Sequence, residues 1–271
     1  MHFLQPRWLL ALGAIATTAP AVEVDLVFPR NETYSPTDYF PFVFAVQNTE
    51  RAELLNIQLS YFIRKSNDLK DRDDQLILNH DLRWTNWSAS ADPYLAYQYI
   101  HNRFNTSGHW LVQWELRWQS CNVESRHRDA GISDHFYTWI QDFSIDNSSL
   151  KEVDLVAATA NDTCPGSRNA FVINATDTIM SSPSILNAAD RDTCVVVANT
   201  TASPTTSTPD PCRLAIDKDT AESIASVQHQ RLCNGLNPPE DCPKENDAPR
   251  LVVLGLSGFL AAIGALGFSI L

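Results

Sequence analysis

Glycine is scarce in this chain: nine occur in 271 residues, and four of those fall between Gly255 and Gly267 in a closing apolar stretch. Away from the two apolar ends only Gly108, Gly131, Gly166 and Gly235 remain, too scattered to build a phosphate-cradling loop. No cysteine precedes Cys121, which removes the inter-sheet disulfide of an immunoglobulin domain. No H-E-x-x-H, H-x-H or C-x-x-C is present, so the usual spacings of zinc sites are missing. The nearest approach to a serine-hydrolase elbow, Gly255-Leu256-Ser257-Gly258, lies inside the apolar tail. Asp71-Arg72-Asp73-Asp74 lacks the glycine and distal glutamate of a calcium loop and reads as a solvated loop. Cations are also short, 20 against 32 acidic residues, for a net charge of −12 with no polybasic block. Such a surface repels phosphate backbones, so nucleic acid is excluded as a partner.

What the chain does have is an apolar segment at each end. Residues 1–21 read as a secretory signal peptide: Arg7 supplies the positive region, Trp8 to Ala16 the apolar run, and Ala19-Pro20-Ala21 the cleavage site. At the other end Leu251 to Leu271 carry no charge and no cation follows them. That pattern suits a GPI-attachment signal, with Asn246 in Asn246-Asp247-Ala248 as the lipid-bearing residue. A retained membrane helix is the alternative, because a tail of this length is long enough to span.

The six cysteines, Cys121, Cys164, Cys194, Cys212, Cys233 and Cys242, predict three disulfides in an exported chain, with the pairing open. Seven N-x-S/T sequons, at Asn31, Asn86, Asn105, Asn147, Asn161, Asn174 and Asn199, predict N-glycans. Together these features place the protein outside the cell, at the plasma membrane outer leaflet or in the cell wall.

Between residues 22 and 150 the pattern is that of short β-strands. Phe40 to Val46 is nearly all apolar, as in a strand covered on both faces. In Trp110 to Gln119 the residues Trp110, Val112, Trp114, Leu116 and Trp118 alternate with more polar ones, a half-buried strand. Further strands are predicted over 24–28, 57–63, 75–82, 94–101 and 136–145. The expected fold is mainly β, an antiparallel Ig-like sandwich. Residues 151–246 form a cysteine-rich extension with possible strands over 169–174 and 195–197. It also holds a Thr/Ser/Pro-rich segment from Asn199 to Pro211. A helix over Asp217 to Leu232, capped by Asp219 or Thr220 and flanked by Cys212 and Cys233, is expected to be disulfide-pinned against the sandwich. Residues 247–271 are the tail.

The opening run Val24-Asp25-Leu26-Val27-Phe28-Pro29-Arg30-Asn31-Glu32-Thr33-Tyr34-Ser35-Pro36 has a familiar look, as do Cys212-Arg213 and Cys242-Pro243-Lys244-Glu245-Asn246. Together they resemble an uncharacterised family of secreted, often GPI-anchored proteins of filamentous ascomycete fungi, a domain of unknown function. The resemblance covers nearly all of the chain between its ends. It implies a cell-surface protein and transfers no active site.

Functionally, no catalytic motif or cofactor site is encoded. A non-enzymatic glycoprotein with a structural or adhesive role is the leading expectation, held at a membrane by its tail. The alternative is a carbohydrate-binding module for cell-wall polysaccharide that stacks sugars on Trp84, Trp87, Tyr94 and Tyr97 in a turn-rich stretch. A polysaccharide-active enzyme is the third reading, since glycoside hydrolysis needs only two well-placed carboxylates.

Overall fold

A computed structural model describes residues 21–66, 75–124, 131–160, 169–198, 208–236 and 238–242. Its strands in chain order are β1 (Val22–Phe28), β2 (Thr33–Tyr34), β3 (Thr37–Gln47), β4 (Gln58–Lys65), β5 (Leu76–Asp81) and β6 (Tyr94–Phe104). These are followed by β7 (Gly108–Asn122), β8 (Gly131–Ile145), β9 (Ala170–Ile173), β10 (Ala175–Ser181) and β11 (Thr193–Val197). Two α-helices, α1 (Leu155–Ala158) and α2 (Lys218–Cys233), follow β8.

Two sheets pack face to face. One has the order β6-β3-β1-β9 and the other β2-β8-β7-β4-β5, with only the short β2 running parallel to its neighbour. Their inner faces meet through aromatic rings: Phe40 on Phe143 at 5.0 Å, Phe44 on Trp114 at 5.8 Å and Phe104 on Trp110 at 4.7 Å. Trp110, Val112, Trp114, Leu116 and Trp118 all point inward and are buried, as their alternation predicts. Each buried indole removes roughly 150–250 Å² from water, an upper-bound contribution of about 4–6 kcal/mol apiece.

β1 and β3 are buried almost throughout because both of their faces are covered. The sandwich core lies on one side and the C-terminal extension on the other. α2 lies over the outer face of the four-stranded sheet, where the Arg231 guanidinium sits 5.8 Å above the Tyr97 ring. The extension is also woven into the sandwich, since β9 pairs with β1 as an edge strand. The helix cap is Asp217, whose side chain accepts a hydrogen bond from the Thr220 amide, so the cap lies just before the predicted Asp219 or Thr220.

Two disulfides lie among the described residues. Cys121–Cys194 joins β7 to β11 of a separate two-stranded β10-β11 ladder, and Cys233–Cys242 pins the end of α2. Cys212 is likewise disulfide-bonded, and Cys164 lies outside the described residues. Among the described residues no helix is long and apolar enough to cross a membrane. Residues 1–20 of the signal segment, the tail and Asn246 all lie outside them.

Candidate functional site

The outer face of the five-stranded sheet has no layer of described structure over it. Antiparallel register sets its outward side chains in rows across the strands, about 7 Å apart. One row is Ile77, Phe62, Gln113 and Ile140; the next is Asn79, Ser60, Glu115 and Thr138; the third is Asp81, Gln58, Arg117 and Phe136. Phe136 is 73% exposed, Ile77 56% and Ile140 46%, while the middle row is polar throughout. The face thus mixes exposed apolar side chains with neutral and charged hydrogen-bonding groups. A lone exposed apolar residue needs no explanation, but a set sharing one sheet face marks a contact surface.

Beyond the third row the face sinks into a pocket of about 340 Å³. Its rim is Gln58, Arg117, Asp134 and Phe136, and its closed end is Asn56, Gln119 and Ala188. Asn56 has φ of 50°, a left-handed conformation that asparagine tolerates, and this aims its amide inward. The Asn56 amide donates to Gln119 Oε1 at 2.9 Å and to Asn187 Oδ1 at 2.8 Å. Gln119 Oε1 also accepts the Ala188 amide at 2.8 Å, and Gln119 Nε2 donates to Asp134 at 2.8 Å. Arg83 bonds the Ala188 carbonyl, Arg191 bonds Asn56, and the nearby Cys121–Cys194 bridge ties β11 to β7. A fully hydrogen-bonded wall of this kind is rigid before any ligand arrives.

Hydrogen-bonding capacity is left over at the rim. Among the described residues the Gln58 amide has no side-chain partner, and Arg117 bonds Glu115 through Nε alone. On the inward side of the sheet, behind the pocket, the buried Trp118 indole N–H is without a partner among the described residues. His135 stacks on Trp118 at 5.2 Å, and burial holds its imidazole below the ordinary histidine range, hence neutral at pH 7. The site therefore offers one bare aromatic ring surrounded by neutral and charged hydrogen-bonding groups.

Two other places merit comparison. A larger cleft of about 670 Å³ lies between α1, α2 and the segment following β1. Most of its charges already engage one another or the backbone. Glu32 accepts Lys151 at 2.8 Å and the Tyr34 hydroxyl at 3.0 Å, Lys218 meets Glu222 at 3.5 Å, and Arg30 bonds the Ala158 carbonyl. Although partial burial pushes the Glu32 carboxyl up, those hydrogen bonds hold it below its usual range, so it is ionised and neutralised in place. The second place is the carboxylate pair Glu23 and Asp25, both buried on the outward face of β1. It is covered by Asp210 and Arg213 and lines neither cavity.

The sequence-predicted aromatics do not assemble into one platform. Trp87 is 6% exposed and packs edge-on against Tyr94 at 5.3 Å, inside the core. Tyr97 lies on the opposite sheet beneath Arg231. Only Trp84 is open, at 61%, and it follows Arg83, the residue that bonds the pocket wall at Ala188. Phe136, Arg117, Gln58 and Asp134 carry no motif. Their one signal was that β8 is apolar at both parities, with Tyr137 and Trp139 facing inward and Phe136 and Ile140 outward.

His80, His101 and His109 stay apart, bonded or stacked with Tyr61, Tyr39 and Ser144 respectively. The one His/Cys cluster among the described residues is His229, Cys233 and Cys242, whose sulfurs are joined as a disulfide and offer no thiolate. Of the sequons, Asn31, Asn86, Asn105 and Asn147 are exposed and Asn174 is buried; Asn161 and Asn199 lie outside the described residues.

Comparison with known families gives one match, to the family described as Domain of unknown function (DUF7136), over residues 17–242, and the chain belongs to that family. No curated protein and no solved structure matches it.

Proposed function

We propose that this DUF7136 protein is an exported, glycosylated surface protein of a filamentous fungus. In this reading it is held at the membrane by a lipid at Asn246 or by its tail helix, and it binds neutral cell-wall polysaccharide on the open face of its five-stranded sheet. Its role is adhesive, and binding needs no chemistry on the ligand. The observation that carries this reading is the Phe136 ring, 73% exposed and paired across strands with Arg117, above a pocket rimmed by groups with spare hydrogen-bonding capacity. Sugars have an apolar ring face and a hydroxyl edge, and an aromatic ring beside amide, guanidinium and carboxylate groups answers both.

Two further facts support it. Among the described residues no N-x-S/T asparagine falls on the outward rows of this face. The chain's net charge of −12 opposes polyuronates and favours an uncharged polymer.

The test is retention of the purified soluble domain on insoluble β-glucan, chitin and cellulose. Wild type is expected to be retained on at least one, and Phe136→Ala to lose affinity by about tenfold, the equivalent of ~1.4 kcal/mol. A folded wild-type protein that passes through all three unretained refutes the reading.

A further inference from the structure

Resting on that reading, we infer that the site recognises the end of a polysaccharide chain, with the terminal sugar seated in the pocket beside Phe136 and the following sugars lying along β7 and β8. The geometry has a direction. From Phe136 the outward residues of β8 lead through Thr138 and Ile140 to Asp142, a track of about 20 Å along one strand. Its far end meets no wall among the described residues, since Asp142 itself is exposed. The near end is closed: Ala188, Asn56 and Gln119 stand across it, hydrogen-bonded to one another.

A chain laid along this track cannot continue past Ala188. An interior stretch of polymer would need a trough open at both ends, and this one is open at one. The pocket, at about 340 Å³, is also at the small end of the range for ligand sites, room for a terminal sugar and little more. Spare donors and an acceptor gather at the rim of that pocket, in Gln58, Arg117 and Asp134, where a terminal residue presents the extra hydroxyl that an interior one has spent on a glycosidic bond. The middle of the track carries Glu115 and Thr138, which suits hydroxyl contacts repeated along a chain. Phe136 supplies the stacking surface at the terminus, and Ile140 a weaker apolar contact further along.

The experiment pairs a pocket-filling variant with end-modified ligands. Ala188→Phe places a ring in the blind end and leaves the outward residues of β7 and β8 untouched. Short neutral oligosaccharides of the polymer that wild type retains are titrated calorimetrically, both native and capped at one end or the other. The insoluble polymer is assayed before and after cutting by an endo-acting hydrolase. Chain-end recognition predicts that capping one particular end weakens binding at least about tenfold, that Ala188→Phe does the same, and that polymer capacity rises after cutting. If capped and native ligands bind alike, and folded Ala188→Phe holds uncut polymer as wild type does, the inference fails while polysaccharide binding stands. If wild type binds no glycan of any form, the underlying reading fails as well. Arg117→Ala, on the exposed rim, serves as a second variant should Ala188→Phe not fold; it is expected to weaken binding to native ends more than to capped ones, and equal loss on both counts against the inference.

Discussion

Asp25 accepts a 2.6 Å hydrogen bond from the Gln47 amide, and Gln47 in turn accepts one from Arg213 at 3.0 Å, so a buried carboxyl on β1 is linked through a glutamine to the C-terminal extension. Glu23, two residues away on the same face, accepts the Asp210 amide at 2.8 Å. Burial pushes the Asp25 carboxyl up to about 8, with the neighbouring Glu23 charge acting in the same direction and Arg213 only partly opposing. In the unfolded chain the same group titrates at its ordinary 3.8. Between these values the folded state keeps a proton that the unfolded state has released. The Asp25 contribution to stability is therefore full below about pH 4 and falls as pH rises toward 8. Burial holds the His80 imidazole down at about 4 against its ordinary 6.5, a contribution that grows with pH up to about 6.5 and offsets the Asp25 slope over that range. Thermal melts between about pH 6.5 and 8 are expected to show a declining midpoint, with Asp25→Asn flattening the decline. A wild-type midpoint that climbs from about pH 6.5 to 8 contradicts the assignment.

The Cys121–Cys194 bridge closes a separation of 73 residues and ties β11 to β7, close to the pocket wall. Replacing both cysteines by alanine removes a constraint on the unfolded chain worth about 4 kcal/mol in the loop-entropy treatment. It also frees the segment bearing Asn187 and Ala188 from one of its anchors. Denaturant unfolding should register the loss, and glycan affinity should fall with it even under conditions where the variant remains folded. Undiminished affinity in the folded variant would show that the hydrogen bonds of Asn56, Gln119 and Arg83 hold the wall unaided.

Strand existence was legible wherever burial imposes a period. The alternation in β7 and the continuous apolar run of β3 report one covered face and two, respectively. β10 went unread because its middle, Thr176, Asp177 and Thr178, is largely exposed and carries no apolar period. Residues near 84–97 could be read as aromatic but not as directional. Trp84 and Trp87 are three apart in an irregular stretch, and only the fold turns one outward and the other onto Tyr94. The candidate site was illegible for a related reason. Phe136 and Arg117 become neighbours through the β7–β8 register, while Ala188 arrives from a loop far along the chain.

Export and glycosylation can be checked site by site. Asn174 lies between β9 and β10, is 5% exposed, and its carbonyl accepts the Ala198 amide. A glycan on a side chain that buried would displace its surroundings, so folding and occupancy compete at this position. Asn31, Asn86, Asn105 and Asn147 face solvent and meet no such conflict. Glycopeptide mass spectrometry on protein secreted by a fungal host should find sugar at several of those four and Asn174 bare. Full occupancy at Asn174 would be incompatible with the packing between β9 and β10.

Adjacent residues on β8 separate binding from stability. Phe136 points to solvent, while Tyr137 turns inward to stack on Phe171 at 4.2 Å and meet Trp114 at 5.5 Å. Removing an exposed ring deletes few contacts, so Phe136→Ala should alter unfolding free energy by less than about 0.5 kcal/mol. Removing the half-buried Tyr137 ring leaves a void between the sheets and should cost about 2–3 kcal/mol, below the range for a fully buried aromatic. The binding assay should reverse the order, with Phe136→Ala losing retention and folded Tyr137→Ala keeping it. Chemical denaturation and polysaccharide retention on the same two proteins decide the matter. If Phe136→Ala destabilises as much as Tyr137→Ala, the ring is packing rather than presented, and the open face loses its claim to a ligand.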